Sequence, residues 1–425
     1  MNPRIHTLLL ALWLAAVCST QACAEVDADA LGKLDGYPVA KSFSSITQEK
    51  FMVGTFSNMK ASFPHNTIRS GETAAPLLKA ATALNLKYSF AGSDRPIQDY
   101  FRNNRITGLM ILRGGEILFE EYQYDRKPQQ LFTSFSMAKS VVSLAIGKAL
   151  QEGSIRSLDD LAGQYVAELK SHPYGEATIR NLLRMSSGVK FNEDYVGFSD
   201  IQVLASTSHY AGVVAALETP KIREVAQGSR FKYASSESAV LALVVRGATG
   251  KSLADYVSEK IWKPLGAEAD AAWMVDPQGV EIGFAYFNAR LRDYGRLGAM
   301  LANDGAWNGK QIIPADYLRE ATDWRAQRAH SAHYGYQFWI MPDASRQFAM
   351  RGVHGQYVLV HPAKRLVLVQ TAVTKSATTW GPNSTWAELS AVWEALVAAT
   401  PDYGPATAPT TASTTIPGSG QTSAR

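Results

Sequence analysis

Ser136 and Lys139 stand three residues apart where a long apolar stretch begins, and together they have the composition of an activated nucleophile. Residues three apart on a helix share a face, so the hydroxyl and the amine can touch. Burial of that face disfavours the ammonium, and a neutral lysine can then take the serine proton without any histidine. The same Ser-x-x-Lys spacing occurs at Ser57/Lys60, Ser187/Lys190 and Ser229/Lys232, so context must choose among them. Only Ser136 is followed by Val141, Val142, Leu144, Ala145, Ile146 and Leu150 with no breaker before Gly153. That pattern predicts a helix apolar nearly all round, and therefore central. Ser187 falls in a Ser-Ser-Gly loop, and Ser229 in a turn after Gly228.

A serine–lysine pair still needs an acid to protonate the leaving group. Tyr233, in Tyr233-Ala234-Ser235 just before a predicted helix, is the candidate, because a phenol near a lysine can relay that proton. The competing reading is a surface ring. His354-Gly355-Gln356 opens a predicted strand after Arg351-Gly352-Val353. As an edge strand bordering the site, it would supply a backbone N–H to join that of Ser136 in holding an oxyanion. Either Gln356 or Tyr357 would carry that amide. The plainer alternative is a hairpin start with one exposed histidine.

The elements that must position these residues begin at Thr107. Leu109-Met110-Ile111-Leu112 and Ile117-Leu118-Phe119, joined across Gly114-Gly115, predict a hairpin. Helices are expected after Ser136, over 158–169, and over 178–185 with Thr178 as N-cap and Gly188 as terminator. Others are expected over 237–247, 253–260 and 293–302, the last closed by Asn303-Asp304-Gly305. Residues 348–350, 356–361 and 366–372 read as neighbouring strands, with Pro362 to Arg365 as a turn. Strands at both ends with helices between them imply one antiparallel sheet built from distant parts of the chain, an α+β fold with a helical half. Residues 25–100 give no firm architecture.

The first 24 of the 425 residues read as a secretory signal peptide: Arg4 and His6, an apolar run from Leu8 to Val17, and Ala22-Cys23-Ala24 as the cleavage site. Periplasmic or secreted export follows, with cleavage after Ala24. A lipoprotein is the less favoured reading, because the residues before Cys18 and Cys23 fit a lipidation box poorly. Both cysteines lie in that segment, so the mature chain has no disulfide and no thiolate. The formal net charge of +4 is spread among acids, which argues against a nucleic-acid or membrane-surface footprint. No stable membrane insertion is expected after signal removal, and the oligomeric state is left open. Eight histidines include no His-Glu-x-x-His, His330/His333 being a solitary pair, so no metal or other cofactor is expected. No Gly-x-Ser-x-Gly elbow occurs, which argues against an α/β-hydrolase. Residues 401–425 are low in core-forming types and read as a disordered tail.

Ser-x-x-Lys, Tyr-x-Ser and the histidine-containing strand, in that order, resemble the serine β-lactamase and penicillin-recognising superfamily, nearest its class C branch. The flanking text agrees: Thr178-Ile-Arg-Asn-Leu-Leu-Arg-Met-Ser-Ser-Gly188, Trp262-Lys-Pro-Leu-Gly266, Arg292-Asp-Tyr-Gly-Arg-Leu-Gly298 and Tyr334-Gly-Tyr-Gln-Phe-Trp339. The match spans about residues 105 to 395. Phe191-Asn-Glu-Asp-Tyr195 and His354-Gly355-Gln356 look most like the 6-aminohexanoate-dimer hydrolases and related carboxylesterases. The resemblance implies a β-lactamase/transpeptidase-like domain over 101–400, with Ser136 acylated, Lys139 its base and Tyr233 the acid. It also implies that Tyr195 touches the substrate amide, and that Ser235, His354, Gly355, Gln356 and Tyr357 border the substrate. Class C enzymes have Asn where this chain has Ser235, and Lys-Thr-Gly where it has His354-Gly355-Gln356. The expected substrate is thus a small ester or linear amide. The alternatives are a β-lactamase or D,D-peptidase and, in a different class, a non-catalytic binding protein. Aromatic residues in the 190–220 and 320–345 loops (Tyr195, Phe198, Tyr210, Trp324, Tyr336, Trp339) either line an apolar pocket or belong to the core.

Overall fold

The computed structural model describes residues 25–404 except 220, 328–329, 332, 343–344 and 379–383. Residues 1–24, expected to be a signal peptide, and the tail beyond residue 404 lie outside the described residues. Residues 401–404 do not match the expectation of disorder: Tyr403 is described, its ring under the guanidinium of Arg365 at 4.5 Å, and its amide bonds to the Ala363 carbonyl.

Seven strands form the main sheet: β1 (Leu78–Lys79), β2 (Ile106–Arg113), β3 (Glu116–Tyr122), β4 (Trp339–Pro342), β5 (Arg346–Gly352), β6 (Gln356–His361) and β7 (Leu366–Ala372). Their order is β4-β5-β6-β7-β2-β3-β1, antiparallel except where β1 joins β3. The predicted hairpin is β2–β3. Gly114 and Gly115 both have positive φ (59° and 95°), as a two-residue turn that matches strand twist requires. The strands predicted at 348–350, 356–361 and 366–372 pair as β5, β6 and β7. One expectation fails. Gln356 begins an interior strand, because Trp339–Pro342 and Arg346–Gly352 add two strands outside it.

Helices cover both faces. On one face lies α3 (Leu291–Ala302), the helix predicted for 293–302. Its Gly298 lies so close to the sheet that a Cβ there would sit 2.5 Å from Val367. The other face is covered by Leu389, Val392, Trp393 and Leu396 of α4 (Thr385–Ala399), with Ile97, Tyr100 and Phe101. The helical half is built on α1 (Met137–Gln151) and α2 (Ser235–Thr249). As the all-round apolar pattern predicts, only Lys148, Leu150 and Gln151 of α1 escape burial.

Thr178 caps Ile179–Leu183 through its side chain, as expected. The helix expected over 158–169 does not form. Its place is taken by two short 3-10 turns, Ala162–Gln164 and Ala167–Leu169. The reason is tertiary: Ala162 and Gly163 give their amides to the carbonyls of Ala177 and Gly175 instead of continuing a helix. The 253–260 helix splits into Leu253–Val257 and a wider π turn, Ser258–Trp262, just before Pro264. Proline lacks the amide donor and displaces the carbonyl four residues back, which widens the helix there.

Residues 25–100 pack into the same core as the rest. Met52, Val53 and Phe56 of the helix Glu49–Phe56 are buried in it. A second, four-stranded sheet joins His65–Ile68, Ala271–Met274, Phe287–Ala289 and Phe132–Thr133. That small sheet leads the chain into Ser136. Phe56 packs edge-on against Phe135, with centroids 4.8 Å apart, so the N-terminal segment props the residue before Ser136. Phe56→Ala should therefore lower stability in urea by about 3–5 kcal/mol, the usual cost of emptying a buried phenylalanine site. A loss below 1 kcal/mol would show that this contact does not hold the segment in place.

Candidate active site

Ser136 caps the N-terminus of α1, the positive end of the helix dipole. The residue before it, Phe135, has φ 41°, a conformation that strains a side chain with a Cβ. Packing holds it there: Phe56, Tyr286 and His354 surround its ring. The Ser134 amide also bonds the Phe287 carbonyl at 2.7 Å. Strain at this point is overdetermined by its neighbours.

Lys139 is 2% exposed. Its Nζ donates to Ser136 Oγ at 3.0 Å and to the Phe284 carbonyl at 2.7 Å. Burial lowers its pKa to about 8, against a smaller opposing pull from Glu193. At pH 7 a lysine with that pKa is neutral roughly one time in ten, against about one in three thousand for an ordinary lysine. None of the other three copies is such a pair. The hydroxyls of Ser57, Ser187 and Ser229 donate to Val53 O, Glu237 and Ala226 O, and Lys60, Lys190 and Lys232 are exposed.

Tyr233 stacks on Trp339 (5.4 Å), with Lys139 Nζ 5.3 Å from its ring centroid. Burial and then Glu193 push its phenol above the ordinary value, against smaller opposing influences from Ser136 and Arg351. It is a phenol and not a phenolate, which suits an acid. Tyr195 borders both cavities that Ser136 lines, and its hydroxyl donates to Glu193 Oε1 at 2.8 Å. The predicted set Ser136, Lys139, Tyr233 and Tyr195 is thus gathered at one point.

Ser136 lines two cavities. The larger, about 540 Å³, is walled by residues including Phe135, Tyr195, Ser235, Phe284, Tyr286, Val353 and His354. The smaller, about 260 Å³, is walled by Glu193, Tyr195, Tyr233, Trp339, Arg351, Val353 and Tyr357, among others.

The remaining predicted residues divide. His354 has φ 59°, bonds the Thr374 carbonyl through Nδ1 at 2.7 Å and is held neutral by burial. Its ring lies against Phe56 and Phe135, so it supports the turn into Ser136 as well as facing the larger cavity. Gln356 lines neither cavity; its carboxamide donates to the carbonyls of His354 (2.9 Å) and Ala372 (2.7 Å). Gly355 stands beneath, where a Cβ would lie 2.8 Å from that of Ala372. Tyr357 faces the smaller cavity, yet like Gln356 it sits in an interior strand, whose amides serve both neighbours. Ser235 gives its hydroxyl to Glu193 Oε1 (2.5 Å) and its amide to Oε2 (2.8 Å).

The strand against the Ser136 turn is β5, one strand earlier than expected. A Cβ on Gly352 would collide with the Ser134 carbonyl oxygen, so β5 approaches as closely as a glycine permits. Val353, which follows, lines both cavities with Ser136. Sequence reasoning missed Val353 and Glu193. The signal for Val353 was the glycine before it. The signal for Glu193 was an acid two residues from Tyr195, but nothing local tied it to Ser235. Among the described residues no group of three or more His, Cys, Asp or Glu is placed to hold a metal ion.

The family profile described as Beta-lactamase matches residues 95–385, more than half of the chain. The chain belongs to the β-lactamase family. It is 25% identical over 280 residues to the 6-aminohexanoate-dimer hydrolase of Paenarthrobacter ureafaciens, covering 61% of this chain and 71% of that protein. A solved structure from Bacillus anthracis, a candidate 6-aminohexanoate-dimer hydrolase, superposes with TM-score 0.75 at 24% identity over 84% of this chain and 98% of the other. A family VIII carboxylesterase superposes with TM-score 0.54 at 16% identity, over 70% and 95% of the two chains. This β-lactamase-family chain thus has the β-lactamase/transpeptidase-like fold that the motif order implied.

Glu193 is the acid whose charge opposes the lowering of the Lys139 pKa. Glu193→Gln removes that charge, so the lysine should lose its proton at lower pH. The pH profile of Ser136 labelling by a fluorophosphonate should shift toward acid. A profile that stays in place would show that Glu193 does not bear on Lys139.

Proposed function

We propose that this chain is a serine hydrolase of ester or linear amide bonds, acting through an acyl-enzyme on Ser136. The observation that carries the reading is the fully buried Lys139, whose Nζ lies 3.0 Å from Ser136 Oγ with a depressed pKa. Lys139 in its free-base form takes the hydroxyl proton as Oγ attacks the carbonyl carbon. The oxyanion is held by the backbone amides of Ser136 and Val353, which flank both cavities. Tyr233 gives its phenolic proton to the departing oxygen or nitrogen and recovers one from the Lys139 ammonium. Water then attacks the acyl carbon by the reverse route, releasing the acid and restoring Ser136. Export to the periplasm or the medium belongs to the same proposal and rests on the leader-like residues 1–24. Among the described residues, no helix is long and apolar enough to cross a membrane.

A second reading, β-lactam hydrolysis, rests on Arg351, whose guanidinium borders the smaller cavity as an anchor for a carboxylate would. It is less favoured because that group lies over the rings of Trp386 (3.8 Å) and Trp339 (5.0 Å). A chromogenic β-lactam assayed beside 4-nitrophenyl acetate separates the two readings.

Ser136→Ala should lower ester hydrolysis by a thousandfold or more, and Tyr233→Phe by about 10²–10⁴. Because Lys139 must be neutral to accept a proton, wild-type kcat/KM should rise about tenfold per pH unit up to about 8 and then level. Unchanged hydrolysis in Ser136→Ala would sink the proposal.

A further inference from the structure

Beyond the larger cavity lies a third hollow of about 530 Å³. Thr47, Gln202, Ala205 and Tyr286 line both, so the two are chambers of one groove that starts at Ser136. The outer chamber carries apolar and aromatic side chains on opposite sides, interspersed with Ser44, Thr47, Gln202 and Ser206. Phe43 and Ile46 come from the N-terminal segment; Phe198, Val203 and Tyr210 come from the helix Asp200–Tyr210 and the loop before it. Phe43 is fixed by stacking on His209 (4.6 Å) and by edge contacts with Phe63, Tyr210 and Tyr286. At the rim, Val196 and Phe198 are each 89% exposed, two bare apolar side chains beside the aromatic side chains of the groove. Exposed apolar clusters of this kind mark surfaces that a ligand covers.

The proposed mechanism, on which this inference rests, assigns the occupant. Tyr233 protonates the leaving group, and Tyr233 lines the smaller cavity but not the larger one. The leaving group therefore lies toward Tyr233, and the acyl part toward the opposite, two-chambered groove. We infer that the groove formed by residues 43–47 and 196–210 binds an extended apolar acyl chain, so that the substrates are esters or amides of medium- to long-chain acids. Residues 25–100 then have a part in the site: they supply its far wall.

The experiment is kcat/KM for 4-nitrophenyl esters from acetate to octanoate, on wild type, Ala205→Trp and Phe198→Ser. Each methylene buried in the groove is worth up to about fourfold. The octanoate-to-acetate ratio should thus exceed ten in wild type. Ala205→Trp, which fills the passage between the chambers, should cut that ratio at least tenfold. Phe198→Ser changes a side chain that supports no packing and should cut it severalfold, so one variant reports even if the other folds poorly. A wild-type ratio at or below one, or a ratio unchanged in both variants, overturns the inference while leaving the hydrolase reading intact. Hydrolysis of no ester at all, acetate included, overturns the hydrolase reading and this inference with it.

Discussion

Burying a lysine amine against a serine hydroxyl is the constraint around which the rest of this structure is arranged. An ammonium in an apolar interior is unstable unless its protons are satisfied. Here the satisfaction is deliberately incomplete: one carbonyl, one hydroxyl, and two ring faces in place of a carboxylate. Glu193 lies close enough to moderate the shift, but it spends its oxygens on Ser235 and Tyr195 and forms no ion pair with Lys139. The result is an amine that titrates near neutrality, where a proton can be both taken and returned.

Holding that arrangement takes contributions from every part of the chain. The Ser136 turn is squeezed between the small sheet, which carries Phe132–Thr133 beside Phe287–Ala289, and the end of β5. Phe284, whose carbonyl receives the lysine, stands just before that same small sheet. Phe56 and His354, themselves in contact, both pack on Phe135 and keep its left-handed backbone in place. Reactive geometry and folding stability are therefore coupled, and the N-terminal segment belongs to both.

Much of this was legible in the sequence, and for identifiable reasons. The all-round apolar pattern after Ser136 marked the central helix, and the Gly114-Gly115 pair fixed the hairpin, because both are local signals. Ser136, Lys139 and Tyr233, which the structure brings together, stood out because their residue types carry chemistry. What escaped was set by distant contacts. The 158–169 segment looks helical until its amides find residues 175 and 177. The strand beside Ser136 was misplaced by one, because His354 draws attention as chemistry whereas Arg351-Gly352-Val353 matters only through how near its backbone can come. Glu193 was hidden for the same reason, since its partner Ser235 lies 42 residues away.

The central claim is that buried Lys139 activates Ser136. Its most direct test is intact mass against time after exposure to a fluorophosphonate, for wild type, Ser136→Ala and Lys139→Met. Methionine fills the buried site without a charge, so the fold is kept while the base is lost. The account predicts one adduct on wild type, none on Ser136→Ala, and labelling at least a hundredfold slower in Lys139→Met. Labelling of Lys139→Met at the wild-type rate, or an adduct that persists in Ser136→Ala, would contradict it.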